Sequence, residues 1–164
     1  MGSKLHHFFF PSLTRKFLVR ALLVVFVSYL VFGRLCIPFR IDGISMEPTY
    51  HDRGFNFCWK LRYLFSSPQR EDVVTVRFAG DGVMLLKRVV ATEGERVEFR
   101  SGKLFVNGRQ MEESYVRFPC DWNLPVRTVH KRSVYVIGDN RSMPMDNHLF
   151  GNAPLERITG GPLW

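Results

Sequence analysis

The chain has little cysteine, and the cysteines that it has are badly spaced for a metal site. Cys36, Cys58 and Cys120 form no C-x-x-C pair, and their odd number argues against a zinc site or a dense disulfide framework. At most one bridge is possible. Beyond the apolar N-terminal run, Cys58 and Cys120 are the only pair that could form it in an oxidising compartment. Cys58 lies in an apolar stretch, however, so core packing is the alternative role for its side chain.

Acidic residues are absent from residues 1–40, which carry six lysines and arginines. The following 124 residues hold 17 basic and 15 acidic side chains, so most of the net charge of +8 flanks an apolar segment. A nucleic-acid-binding protein is expected to carry its basic surplus on the folded domain. The charge distribution therefore indicates a lipid bilayer as a partner and argues against nucleic acid.

The apolar segment runs from Phe17 to Ile37. As a helix it would be about 31 Å long at ~1.5 Å per residue, close to the ~30 Å hydrocarbon thickness of a bilayer. Its uncharged core, residues 21–33, is short, so Arg20 and Arg34 would have to extend towards the headgroups. A cleavable targeting sequence is the alternative, but no small-x-small cleavage site follows closely. We therefore predict an uncleaved transmembrane anchor.

More basic residues precede the uncharged core than follow it, which predicts a cytoplasmic N-terminus. The expected organisation is a cytoplasmic segment (1–16), a transmembrane anchor (17–37) and one extracytoplasmic domain (38–164), in a bacterial inner or plasma membrane. The aromatic stretch His6–Pro11 is expected to lie at the membrane interface. A metal-binding role for it is the alternative, but two adjacent histidines without further ligands make a poor site.

Amphipathic stretches long enough for a helix are absent after Arg40, so the domain is predicted to be mostly β. Two hairpins are expected, at Ser101-Gly102 and at Asn107-Gly108, because glycine supplies the positive φ of tight turns. Residues 55–65 are rich in aromatics and are read either as a core strand or as an apolar surface that enters the bilayer. Aromatic and β-branched runs predict further strands at Phe55–Leu61, Asp72–Phe78, Val83–Thr92 and Arg132–Gly138.

A candidate nucleophile, Ser45, lies in the stretch GISMEPT, residues 43–49, although the chain has no G-x-S-x-G motif. A serine hydroxyl needs a base to become a useful nucleophile. Histidines at 51, 130 and 148 leave a Ser-His-Asp arrangement open. Lys87 is the other candidate, because apolar neighbours on a predicted strand would bury its amine and lower its pKa. The alternative for Lys87 is an exposed lysine on an edge strand.

Three stretches occur in a characteristic order after the apolar segment: GISMEPT, KRVVATEGE (residues 87–95) and GDNRSMPMDNHLFG (residues 138–151). With them the chain, over about residues 41–151, resembles the type I signal peptidase family of membrane-anchored serine proteases with a Ser/Lys dyad. The resemblance implies an antiparallel β-sheet or barrel-like catalytic domain behind one N-terminal transmembrane helix. It implies cleavage of N-terminal signal peptides from exported preproteins after a small residue. It implies no cofactor and no metal, and it leaves the oligomeric state open.

The resemblance also implies roles for single residues. Ser45 would be the nucleophile and Lys87 the general base in both half-reactions. The backbone N–H of Ser45, with help from near Gly43, would hold the oxyanion. The implied supporting residues are Met46, Pro48 and Thr49, which shape the turn that presents Ser45, an ion pair between Arg88 and Asp139, and Gly138, which allows close backbone approach.

Two departures from the family pattern carry predictions. Pro144 stands where the family usually has a serine whose hydroxyl contacts the catalytic lysine, so we expect Ser142 to orient Lys87 instead. His148 stands where arginine is common, so we expect a pair between Asp146 and His148 that weakens as the pH rises.

The alternatives to a general signal peptidase are a specialised processing peptidase of the same family, of the conjugation or mitochondrial inner-membrane type, or a catalytically silent, membrane-tethered β-domain. In the last case Pro144 would mark a damaged site.

Overall fold

The structure, a computed structural model, describes residues 14–77 and 84–164. The predicted interfacial stretch His6–Pro11 lies outside the described residues. The chain divides into two compact units, with the division between Ile37 and Pro38. This division falls where the sequence predicts the anchor to end.

One helix, α1 (Arg15–Leu30), contains most of the apolar segment. The side-chain oxygen of Thr14 accepts a hydrogen bond from the N–H of Phe17 and so caps its first turn. A π-helical turn, Val31–Leu35, continues it. Together they are long and apolar enough to cross a membrane by length and composition. The helix therefore begins two residues before the predicted anchor and ends two residues before its predicted end.

The second unit is built from antiparallel strands, which confirms the predicted mostly β fold. A seven-stranded sheet has the order β1-β2-β11-β3-β4-β9-β10, and a four-stranded sheet has the order β7-β6-β5-β8. The first sheet comprises β1 (Cys36–Arg40), β2 (Phe55–Trp59), β3 (Val73–Arg77), β4 (Met84–Ala91), β9 (Ser133–Ile137), β10 (Gly151–Pro154) and β11 (Ile158–Pro162). The second comprises β5 (Arg96–Arg100), β6 (Lys103–Val106), β7 (Arg109–Gln110) and β8 (Leu124–Thr128). The described helical segments after β1 are short 3₁₀ turns at Lys60–Tyr63, Met145–Asn147 and Leu155–Arg157.

Both predicted hairpins are present in the four-stranded sheet. β5 pairs with β6 through Ser101 and Gly102, and β6 pairs with β7 through Asn107 and Gly108. All four turn residues have positive φ, between 47° and 79°. Positive φ at both central residues is the geometry of the two-residue turn that matches the twist of antiparallel strands. The turn residues thus set the register of this sheet.

The aromatic stretch after Gly54 forms the strand β2, but its aromatic side chains do not face the core. Asn56 and Cys58 are buried, while Phe55 is 57% exposed. The Asn56 amide donates to the carbonyl of Trp164 at 2.6 Å, so its buried polar group is paired. The stretch is therefore both a strand and an apolar surface, since Phe65 beyond it is 96% exposed.

The bridge between Cys58 and Cys120 that the sequence allows is not formed. The Cys58 thiol is buried in β2, 3.0 Å from the hydroxyl of Thr75, while Cys120 Sγ lies 3.9 Å from the carbonyl of Gly102. Core packing, the alternative considered for Cys58, is its role in the structure.

Apolar side chains of the described residues form three clusters in the second unit. The cluster between the sheets includes Phe99, Trp122 and Tyr135. A second, of valines from β3, β4 and β9, lies on the seven-stranded sheet. The third joins Ile41, Met46 and Leu86. This last cluster connects the loop after β1 to β4, the two segments that carry Ser45 and Lys87.

Candidate active site

Ser45 lies in the loop that follows β1, and buried neighbours hold this loop. Met46 is 1% exposed and packs against Ile41 and Leu86. The N–H of Tyr50 donates to the carbonyl of Met46 at 2.9 Å. Burial of Met46 fixes this part of the loop, and the adjacent Ser45 side chain remains partly exposed.

Lys87 projects from β4, where it pairs in register with Val74 of β3. It is 3% exposed, although lysine is almost never fully buried without a partner. Burial lowers the pKa of Lys87 from 10.5 to about 8, and the charge of Asp139 opposes this shift. Lys87 Nζ lies 3.0 Å from Ser45 Oγ, within hydrogen-bond distance. The structure thus brings together a hydroxyl and an amine whose pKa is lowered to about 8.

The predicted ion pair between Arg88 and Asp139 is present and is bidentate. Arg88 Nε donates to Oδ1 of Asp139 at 2.8 Å, and Nη2 donates to Oδ2 at 2.6 Å. Asp139 is fully buried, and the hydroxyl of Thr49 donates to its Oδ2 at 2.6 Å. The Arg88 guanidinium also lies 4.1 Å from the ring centre of Tyr115. One carboxylate therefore ties the lysine strand to the serine loop.

The segment after β9 packs directly behind Ser45. The N–H of Asn140 donates to the carbonyl of Ser45 at 3.0 Å, and its side-chain amide donates to the carbonyl of Ile44 at 3.1 Å. A Cβ atom added to Gly138 would lie 2.2 Å from the carbonyl oxygen of Ser45. Only glycine fits there, as the close approach expected for Gly138 requires.

Two cavities flank the pair. The first, the Ser45 cavity, has a volume of about 40 Å³ and is lined by Ser45, Gly43, Ile41 and Leu86 among others. The second, the Lys87 cavity, has a volume of about 120 Å³ and includes Lys87 in its wall. The Ser45 cavity has about a third of the volume of the Lys87 cavity, so it accepts the smaller group.

A family model described as "Signal peptidase, peptidase S26" matches residues 14–162. The chain belongs to this family.

Relatives in the peptidase S26 family come from plants and bacteria. The chain is 35% identical over 152 residues to thylakoidal processing peptidase 1, chloroplastic, of Arabidopsis thaliana, covering 85% of this chain and 44% of that protein. It is 32% identical over 135 residues to the probable signal peptidase I-1 of Synechocystis sp., covering 77% and 69% respectively. The chain spans less than half the length of the thylakoidal relatives that it matches. A crystal structure of a signal peptidase I from Enterococcus faecalis aligns with a TM-score of 0.49 and 26% identity, covering 58% of this chain and 97% of that one.

The prediction that Ser142 orients Lys87 is wrong. The Ser142 hydroxyl donates to Oδ1 of Asn140 at 2.7 Å, and it makes no hydrogen bond to the Lys87 amine in the part of the chain that the structure describes. Among the described residues, the Ser45 hydroxyl is the hydrogen-bond partner of the Lys87 amine. With proline at 144, burial on β4 and this one hydrogen bond are what constrain the Lys87 amine among the described residues.

The predicted pair between Asp146 and His148 is also absent from the hydrogen bonds and ion pairs of residues 84–164. His148 is 4% exposed, and its Nε2 accepts a hydrogen bond from the N–H of Gly138 at 3.0 Å. A ring nitrogen that accepts is unprotonated, so His148 is neutral. Burial lowers its pKa to about 3, with Lys87 and Arg141 adding to the effect. His148 therefore supports the segment behind Ser45 instead of forming a charged pair.

Gly43 does not offer its own N–H to an oxyanion, because that N–H donates to Oδ1 of Asp52 at 2.7 Å. Its backbone has a φ of 101°, which explains the glycine. The N–H of Ser45 has no acceptor among the described residues. Of these two N–H groups, that of Ser45 is therefore the one available to an oxyanion.

Arg141 and Glu113 were missed as supporting residues. Arg141 is 1% exposed, and its Nη1 and Nη2 donate to the two carboxylate oxygens of Glu113 at 3.1 and 2.5 Å. Its Nε donates to the carbonyl of Gly138 at 2.8 Å. The position of Arg141 within GDNRSMPMDNHLFG was an available indication, whereas Glu113 lies in a segment without a recognisable pattern.

Proposed function

We propose that the chain is a membrane-anchored serine endopeptidase that removes N-terminal signal peptides from exported preproteins and cuts after a small residue. The observation that carries this function is the 3.0 Å distance between Ser45 Oγ and a buried Lys87 amine. The family supports the reaction class, and the small volume of the Ser45 cavity is consistent with a small side chain before the cut.

In the proposed mechanism the neutral Lys87 amine accepts the Ser45 proton as the hydroxyl oxygen attacks the scissile carbonyl. The oxyanion is held by the N–H of Ser45. The Lys87 ammonium then gives its proton to the departing amine, and the neutral amine activates the water that hydrolyses the acyl-enzyme. A pKa of about 8 suits both directions of transfer, because neither protonation state is strongly favoured near that pH.

The helical segment Arg15–Leu35 supports the proposed anchor. Its flanking charges favour a cytoplasmic N-terminus and an extracytoplasmic catalytic unit. Enzyme and preprotein would share the bilayer, so a high local concentration offsets a low intrinsic affinity. An extended substrate would pair with a strand edge next to the Ser45 cavity.

A specialised processing peptidase is the second candidate, and the identity of 35% to a thylakoidal processing peptidase favours it. Cleavage of a thylakoid-transfer presequence at a much higher rate than a bacterial signal sequence would favour this narrower role.

The test is cleavage of a preprotein by the purified full chain in neutral detergent, beside Ser45→Ala and Lys87→Ala. We expect a single cut after a small residue by the native chain and a loss of several orders of magnitude in both variants. Ser142→Ala is the matched control, because its hydroxyl contacts Asn140 and not the amine. Equal cleavage by all four proteins, or by none, would contradict the proposed function.

A further inference from the structure

The Lys87 cavity is lined by both apolar and basic side chains. Val76, Leu85 and Val136 are among the apolar ones, and the basic ones include Arg77, at the end of β3, and Arg157, in the turn before β11. No aspartate or glutamate is present among its described lining residues. At about 120 Å³ it has three times the volume of the Ser45 cavity. The cavity therefore suits an elongated side chain that ends in a negative charge.

The proposed reaction fixes which part of a substrate meets this cavity. The departing amine takes its proton from Lys87 Nζ, so it must come within hydrogen-bond distance of that atom. The Ser45 cavity is lined by the nucleophile but not by Lys87, so the proposed mechanism assigns it to the acyl side of the scissile bond. The first substrate residue after the scissile bond therefore lies beside Lys87. Its side chain can enter the cavity that this lysine lines.

We propose that the Lys87 cavity is the subsite for the first residues after the scissile bond and that it favours glutamate or aspartate there. This inference rests on the proposed function. The methylene groups of a glutamate would pack on Val76 and Leu85, and its carboxylate would reach the guanidinium of Arg157. The enzyme would thus recognise residues on both sides of the scissile bond, at the end of the removed peptide and at the start of the released protein.

The expected preference is modest because Arg157 is exposed. Ion pairs of this kind change an equilibrium by about two- to fivefold, and added salt weakens them. We therefore expect a comparable ratio of kcat/KM between peptides with glutamate and glutamine after the cut. The ratio should fall towards one in high salt.

The experiment uses the full chain in neutral detergent with peptides that differ only in the first or second residue after the cut, which is Glu, Gln or Lys. Each is tested with the native chain, Arg157→Gln and Arg157→Glu. The matched control is Arg109→Glu, a charge reversal on the exposed β7 of the other sheet. We expect Arg157→Gln to reduce the preference for Glu over Gln, Arg157→Glu to replace it with a preference for Lys, and Arg109→Glu to leave it unchanged.

A native ratio of one, a ratio insensitive to Arg157→Glu, or an equal change in Arg109→Glu would overturn this subsite while cleavage itself persists. An absence of cleavage of every peptide, with the native chain indistinguishable from Ser45→Ala, would instead overturn the proposed function together with the inference.

Discussion

Replacement of Lys87 by methionine should stabilise the fold at neutral pH while it abolishes activity. Burial lowers the pKa of the folded-state amine from 10.5 to about 8. Each tenfold change in proton affinity corresponds to about 1.4 kcal/mol, so below pH 8 the buried charge costs the folded state about 3 kcal/mol. Methionine keeps a similar unbranched shape without the charge but loses the contact with Ser45, about 1 kcal/mol. The net gain at pH 7 should be about 2 kcal/mol.

The pH dependence of this gain provides the sharper test. Between about 8 and 10.5 the unfolded chain retains the proton that the folded chain has released, so native stability rises with pH through this window. The advantage of Lys87→Met should therefore shrink above pH 8 and vanish near pH 10. Urea unfolding of the full chain, followed by circular dichroism, measures it, with exposed Lys103→Met as the control. A variant that is no more stable at pH 7, or whose advantage is the same at pH 7 and 10, would refute the reasoning.

Three further outcomes follow from the same geometry. The kcat/KM of the native chain should fall on the acid side with a midpoint near pH 8, because the free enzyme needs a neutral Lys87; a flat profile from about pH 6 to 9 would contradict its role as a base. Asp139→Asn should lower the free energy of unfolding by about 3 kcal/mol, because it leaves the buried charge of Arg88 uncompensated. Glu98→Gln, in the more exposed pair with Arg100, should lower it by less than about 1 kcal/mol. Denaturant titrations that show equal losses for the two variants would contradict this difference. The native chain should lose stability as the pH falls from 6.5 towards about 3, because the unfolded state protonates His148 first, and His148→Gln, which can still accept from Gly138, should lack this contribution; identical acid-unfolding midpoints would argue against a neutral, buried imidazole.

The strands that could be predicted are those whose own residues favour extended structure. β2, β3, β4 and β9 are rich in valine and aromatics and lie within about two residues of their predicted bounds. β10 and β11 contain proline and paired glycines, which seldom indicate a strand. They are extended because neighbouring strands pair with them, and such tertiary pairing has no local sequence pattern.

The parts of the site that could be predicted are those that a short contiguous motif determines. Ser45, Lys87 and the pair of Arg88 with Asp139 were found in this way, but their proximity depends on the register of β3 with β4 and on the loop after β1. The contacts of Ser142 and His148 could not be predicted, because the direction of a side chain in a loop depends on the residues from other segments that pack against that loop. Trp122, from a distant segment, packs its ring 5.1 Å from that of His148 and encloses it.

The position of β11 bears on when the proposed enzyme becomes competent. This strand lies between β2 and β3 and joins the two parts of the larger sheet, yet it follows every residue of the candidate site along the chain. A nascent or truncated polypeptide that ends before Ile158 contains Ser45 and Lys87. It lacks the strand that pairs with both β2 and β3 and so holds the larger sheet together. The proposed activity is therefore expected only once β11 has been synthesised and has paired with β2 and β3.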